Sequence, residues 1–140
     1  MKKMVLSLLV DNTSGVLSRV SGLFSRRGYN IDSLSVGVTE NPKYSRMTVA
    51  VSGDDLTLEQ IAKQLNKLED VVNITELKDG QSVCRELVLV KVKTNREEKQ
   101  QIIAITDVFR AKIVDVSIES LMIELTGNAN KIEAFIGLLD

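Results

Sequence analysis

Few side chains in this sequence could do chemistry on a bound molecule, and most of them are gathered in Asp11-Asn12-Thr13-Ser14-Gly15-Val16-Leu17. Here an apolar stretch runs into a helical pattern through a tight polar turn. Asp, Asn, Thr and Ser cap helix starts because a short side-chain oxygen can accept from the unpaired backbone N–H groups there. Gly15 has no side chain to block approach to those groups. A helix N-terminus left open in this way carries about half a unit of positive charge and a cluster of donors, which suits a carboxylate or phosphate. The same residues also suit an ordinary strand-to-helix connection, so the turn by itself leaves both readings open.

A carboxylate over the amides near Gly15 and Val16 could be oriented by the carboxamides of Asn12 and Asn30. These offer both donors and acceptors, and could equally meet an ammonium group. An α-amino acid fits that description. Val16, Leu17, Ile31 and Leu34 lie near enough in sequence to form an aliphatic wall, and each is read as well as plain core. One methylene in such a wall changes affinity by about 1 to 3 kcal/mol, so discrimination among branched amino acids should be partial.

Other chemistries fall away on composition. The chain has no histidine and a single cysteine, Cys84, so the commonest metal ligand and acid-base group are missing and no intramolecular disulfide can form. Cys84 reads as a small apolar residue in a reducing compartment, which implies a cytoplasmic protein. Asp54-Asp55 and Glu97-Glu98 lie just ahead of helical patterns and read as capping and dipole-complementing acids rather than catalytic ones. No catalytic residue, metal ligand, dinucleotide fingerprint or Walker loop is expected. With 18 basic and 19 acidic side chains, no global field would collect nucleic acid or an anionic membrane. Met1-Lys2-Lys3 and the short apolar stretch after it are too short for a membrane span or export signal.

The elements that must hold the turn can be read in order. Met4 to Val10 is nearly all apolar, with Ser7 the exception, and reads as a central strand buried on both faces. Val16, Leu17, Val20, Leu23 and Phe24 recur at helical spacing, and Gly22 inside that helix suggests close contact with another backbone. Leu34, Val36 and Val38 alternate with polar residues in a half-buried strand. The strand from Tyr44 to Ser52 pairs back on it as a hairpin. Asp54 opens a helix with Leu58, Ile61, Ala62, Leu65 and Leu68 inward, and a strand from Val71 to Leu77 follows.

This is a β-α-β-β-α-β plan over residues 1–78. Residues 79–83 read as a linker, and the plan begins again over 84–140. A strand (Leu87 to Val92) leads to a helix with Ile102, Ile103, Ile105, Thr106 and Phe109 inward. Two strands (Ile113 to Ser117, Leu121 to Leu125) and a helix with Ile132, Phe135, Ile136 and Leu139 buried complete it. The last strand of the plan is missing at Asp140, through truncation of a longer protein or completion by a partner. The fold class is α+β, two ferredoxin-like modules. RNA-binding domains share this plan, but their aromatic stacking platform is absent: Met4 to Val10 has no aromatic, and Arg26 and Arg27 read as a solvated helix end.

The run from Asp11 to Val20, with Leu23-Phe24-Ser25-Arg26-Arg27-Gly28-Tyr29-Asn30-Ile31, resembles the ACT domain of acetolactate synthase regulatory subunits. Ser45-Arg46-Met47-Thr48, Gln60 to Leu68, Arg85-Glu86-Leu87, Leu89-Val90-Lys91-Val92, Ile113-Val114-Asp115-Val116 and Leu125-Thr126-Gly127 extend the likeness over nearly the whole chain. Serine at position 14, where many ACT turns carry proline, agrees with this subfamily. The resemblance implies an N-terminal ACT effector-binding domain (1–78) and a C-terminal ferredoxin-like domain (84–140). It implies a non-catalytic chain that binds and activates the catalytic subunit of acetolactate synthase and confers feedback inhibition by valine in branched-chain amino-acid biosynthesis. Thiamine diphosphate, Mg and FAD would belong to that partner, and this chain would hold none. It further implies a homodimer through the ACT domain, with the effector held by Asn12, Gly15, Val16 and Leu17 of one chain and Asn30 and Ile31 of the other. The alternative is a stand-alone ACT-type amino-acid sensor acting on a different partner.

Overall fold

Strand β1 (Lys2–Asp11) buries Met4, Leu6, Leu8 and Val10 and leaves Val5, Ser7 and Leu9 half-buried on the other side. The apolar run predicts burial on both faces; the structure has period-two burial instead, because both helices of this unit pack on the same side. The computed structural model describes residues 2–78 and 80–139, so Asp79 of the expected linker lies outside the described residues, as do Met1 and Asp140. The chain divides into two units, Met1–Ser82 and Val83–Asp140.

In the first unit the turn leads into α1 (Val16–Arg26), followed by β2 (Ile31–Val38), β3 (Tyr44–Gly53), α2 (Asp55–Asn66) and β4 (Val71–Glu76). The sheet is antiparallel in the order β2-β3-β1-β4. Its core joins the inward residues of β1 to Met47, Val49 and Val51 of β3, Val16, Val20, Leu23 and Phe24 of α1, and Leu58, Ile61 and Leu65 of α2. The expected cap of α2 is present: Asp54 Oδ1 accepts from the Thr57 N–H at 2.8 Å.

Three more expectations fail in this unit. Leu17 belongs to the helical stripe by spacing, but it is 46% exposed on the flank of α1. Gly22 makes no close approach, since a Cβ there would meet nothing within 4 Å. Strand β2 is not half-buried. The register sets Leu34 opposite Val49 and Val36 opposite Met47, so both point to the helix side. At the sheet edge, however, neither helix covers them, and Leu34, Val36 and Val38 are 39%, 45% and 65% exposed.

The second unit contains β5 (Glu86–Lys93), α3 (Arg96–Val108), β6 (Lys112–Val116), β7 (Ser120–Gly127) and α4 (Ala129–Leu139). Its described strands form a three-stranded antiparallel sheet in the order β5-β7-β6. The core is small: Ile102, Leu121, Ile123, Leu125, Ile132 and Phe135, with Phe109 edge-on to Phe135 at 5.3 Å between ring centres. Ile103 and Ile136, expected inside, are exposed because the buried stripe of each helix is narrower than its apolar pattern. Cys84, read as a small apolar residue, is also exposed.

Candidate functional site

The turn after β1 is held by backbone bonds on both sides. The Asp11 N–H donates to the Asp70 carbonyl (2.9 Å) and the Asn12 N–H to the Lys43 carbonyl (2.8 Å). The Asn12 carboxamide clamps the turn to the β2–β3 loop, with Nδ2 donating to the Pro42 carbonyl at 2.9 Å and Oδ1 accepting from the buried Ser45 hydroxyl at 3.1 Å. One Nδ2 hydrogen and one Oδ1 lone pair remain uncommitted on this exposed residue.

None of the expected side chains caps α1. The N-cap is Gly15, in the left-handed region at φ 88°, ψ −7°, with no side-chain hydrogen bond to the first turn. Asn12 is spent on the hairpin loop instead. A side-chain cap is worth about 1 kcal/mol. Burying Val16, Val20, Leu23 and Phe24 contributes about 1.5 to 3 kcal/mol each, so the helix holds with its start open. The Val16 N–H turns back to the Thr13 carbonyl at 3.4 Å, and no side chain caps the remaining first-turn amides at this positive helix end.

Arg19, outside the apolar stripe of α1, adds a charge. Its Nε donates to the Asp70 carboxylate. The guanidinium lies along Gly15: a Cβ there would stand 3.0 Å from Nη1, 3.7 Å from Cζ and 4.0 Å from Nη2. The hydrogen bond that Arg19 donates to the Asp70 carboxylate raises the Arg19 pKa above its ordinary value. The spacing of four from Gly15 puts Arg19 one helical turn along. Asp70, 51 residues away in sequence, left no such signal.

The remaining candidates are placed apart. Val16 is buried, whereas Leu17 and Leu34 are open to solvent. Asn30 is exposed and donates to Asp32 Oδ1 at 3.3 Å, while Ile31 packs against the edge of the core. Ile31 pairs with Val51, whereas the turn lies at the Ser45 end of β3. Six residues of strand separate them, about 20 Å at the usual rise. Within one chain, Asn30 and Ile31 do not reach the turn.

The second unit carries a counterpart of this turn. The Thr94 N–H donates to the Glu119 carbonyl at 2.8 Å, as Asn12 does to Lys43. There the helix is capped: Asn95 Oδ1 accepts from the Glu98 N–H at 2.8 Å, and Glu97 and Glu98 occupy the first turn. An open depression of about 610 Å³ beside it is lined by Lys93, Arg96, Glu98 and Glu119 among others, side chains of both signs. The start of α3 is thus capped and acidic, unlike that of α1. Among the described residues no group of three or more His, Cys, Asp or Glu side chains could hold a metal ion, and no helix is long and apolar enough to cross a membrane.

Comparison with known proteins assigns both units. Residues 6–73 match the AHAS small subunit-like ACT domain, and residues 85–140 match the family described as small subunit of acetolactate synthase. An acetolactate synthase small subunit from Mycobacterium avium is 54% identical over 135 residues, 96% of this chain and 81% of that protein. A probable acetolactate synthase small subunit from Archaeoglobus fulgidus is 50% identical over 137 residues, 98% of this chain and 86% of that protein. The crystal structure of an acetolactate synthase small subunit from Thermotoga maritima superposes with a TM-score of 0.91 at 46% identity. The match covers 99% of this chain and 87% of that one.

Proposed function

Because the chain belongs to the family of acetolactate synthase small subunits, we propose that it is a non-catalytic regulatory subunit. In this reading it binds and activates the catalytic subunit of acetolactate synthase and passes feedback inhibition by valine to it. Residues 1–78 form the effector domain, joined by 79–83 to the second module, 84–140. The effector is a small aliphatic α-amino acid. Its carboxylate sits at the amides of Gly15, Val16 and Leu17 with Asn12 alongside, and Asn30 and Ile31 come from a second copy. No cofactor is assigned to this chain. Thiamine diphosphate, Mg and FAD belong to the partner, and the setting is cytoplasmic.

The observation that carries the reading is the separation of the two half-sites within one protomer. Strand β2 is an uncovered edge, with Leu34, Val36 and Val38 exposed beside it. An edge of this kind invites another strand. Antiparallel pairing of two β2 strands about a two-fold axis sets the Ile31 end of one against the Val38 end of the other. The Val38 end is the one that adjoins the turn, because Val38 pairs with Ser45. The arrangement closes a site from two halves and buries an apolar rim, as an isologous interface requires. Effector and partner are then coupled by about 1 to 3 kcal/mol, reciprocally in binding terms.

Isothermal titration of the purified chain with valine and isoleucine tests this directly, alongside assay of the catalytic subunit with and without the chain. Binding of valine and a valine-sensitive increase in partner activity are expected. No heat from either amino acid, with the dimer intact by sedimentation, overturns the effector assignment.

A further inference from the structure

Arg19 has one guanidinium nitrogen committed and two free. Nε is pinned by Asp70, and among the described residues no protein acceptor lies within hydrogen-bond reach of Nη1 or Nη2. These two nitrogens lie beside Gly15, where a side chain would otherwise stand, so the absent Cβ leaves room for the guanidinium at the turn. Asp70 is itself fixed: its side chain is only 19% exposed, and its carbonyl accepts the Asp11 N–H from the start of the turn. A guanidinium held at Nε with its terminal nitrogens outward presents a planar pair of charged donors, the geometry that matches a carboxylate. Helix amides alone supply only partial charge.

We propose that Arg19 is a binding residue for the effector carboxylate, and that Asp70 is a positioning residue that orients its guanidinium over Gly15. This rests on the effector reading above and adds to it the group that recognises the full negative charge. A free acid should therefore bind more tightly than its neutral carboxamide, which keeps the shape and the ammonium group but loses the charge.

The test titrates the full-length chain, checked as a dimer, with valine and with valinamide. Wild type is expected to prefer valine. Arg19→Gln should weaken valine about tenfold, the scale of one charge-assisted pair, and change valinamide by less than about twofold. Arg19→Lys should recover part of the loss, because it restores charge without the fork. The double variant Arg19→Gln/Asp70→Asn removes the carboxylate that the single variant leaves unpaired, and it should still show the loss. Asp70→Asn alone should weaken valine less than Arg19→Gln does. Where valinamide is too weak to measure, an unchanged thermal midpoint with at least a fivefold loss for valine in the double variant supports the assignment. An unchanged valine to valinamide ratio, or an unchanged valine affinity in both glutamine variants, overturns it and leaves the effector reading standing. Wild type that binds neither ligand overturns both.

Discussion

Replacing Gly15 by alanine and by aspartate separates the shape of the turn from its charge. Gly15 sits at φ 88°, where an L-residue costs about 1 to 2 kcal/mol. The steric part is smaller: the new Cβ lies 3.0 Å from Arg19 Nη1, the far end of a flexible side chain that can swing away. For a domain of this size each kcal/mol moves the midpoint by roughly 4 to 8 °C, so both variants should melt roughly 4 to 16 °C lower yet fold at room temperature. Aspartate adds a negative charge beside the bound carboxylate. Two unit charges 4 Å apart repel by about 1 kcal/mol in water and about 4 kcal/mol at a protein surface, roughly 5-fold to 1,000-fold in affinity. The new carboxylate would also occupy Arg19. Isothermal titration with valine, well below the lower midpoint, should therefore rank wild type above Gly15→Ala and Gly15→Ala clearly above Gly15→Asp. In the reconstituted enzyme Gly15→Asp should remain active and insensitive to valine. If the aspartate variant binds valine as tightly as the alanine variant, charge at the turn is irrelevant and the carboxylate does not sit there.

Three further outcomes follow from particular contacts. Hydrogen bonds from Thr57, its hydroxyl first and its backbone N–H second, hold Asp54 below the ordinary carboxylate value. A lowered folded pKa gives stability that is complete above the unfolded value and is lost as pH falls through the folded one. Asp54→Asn keeps the cap acceptor without the titration, so its thermal midpoint should fall less steeply below about pH 4 than wild type; parallel slopes would refute this. Val36→Glu places a charge at the exposed edge of β2, where a surface change alters the protomer by about 0.5 kcal/mol or less. Sedimentation should nevertheless show monomer, and valine binding should go with the dimer. Phe135→Ala empties the centre of the small second core and should cost about 3 to 5 kcal/mol, enough to unfold that unit in a proteolysis assay.

How much of this was legible depended on how far apart the deciding residues stand. Helical spacing located Val16, Val20, Leu23 and Phe24, and the Asp54 cap was readable because its partner Thr57 is three residues away. Element order alone gave the alternation of strands and helices. What the pattern could not supply was neighbours. Asn12 looked like a helix cap, but its carboxamide is taken by Pro42 and Ser45, more than thirty positions on in one case and nearly as many in the other. Arg19 has no spacing that points to its partner, because Asp70 stands 51 residues away. Leu34, Val36 and Val38 had a strand's alternation and the right face, and are exposed only because β2 lies at the edge of the sheet. Ile103 and Ile136 fail for a related reason, since a three-stranded sheet under two helices has too little surface to cover both apolar stripes.

A two-chain site of the kind proposed makes a demand that no single-chain site can meet. In a two-fold dimer built on the β2 edges, each site takes its turn from one chain and its Asn30 from the other. A Gly15→Asp chain has a defective turn and a sound Asn30; an Asn30→Ala chain has the reverse. Either homodimer has no intact site. In the mixed dimer, one site collects both defects, and the other collects the sound turn of the Asn30→Ala chain and the sound Asn30 of the Gly15→Asp chain. Random mixing of equal amounts gives about half mixed dimers, hence about one full-affinity site for every four chains. The separation of about 20 Å between the Ile31 end of β2 and the turn within a protomer is what makes this outcome expected. Valine titration after co-refolding, with differently tagged chains to isolate the mixed dimer, reads the stoichiometry. Recovery of wild-type affinity at about one site per mixed dimer is the expected result. No recovery in a mixed dimer that has formed would mean that the turn and Asn30 serve the same chain, and the β2-edge assembly would have to be abandoned.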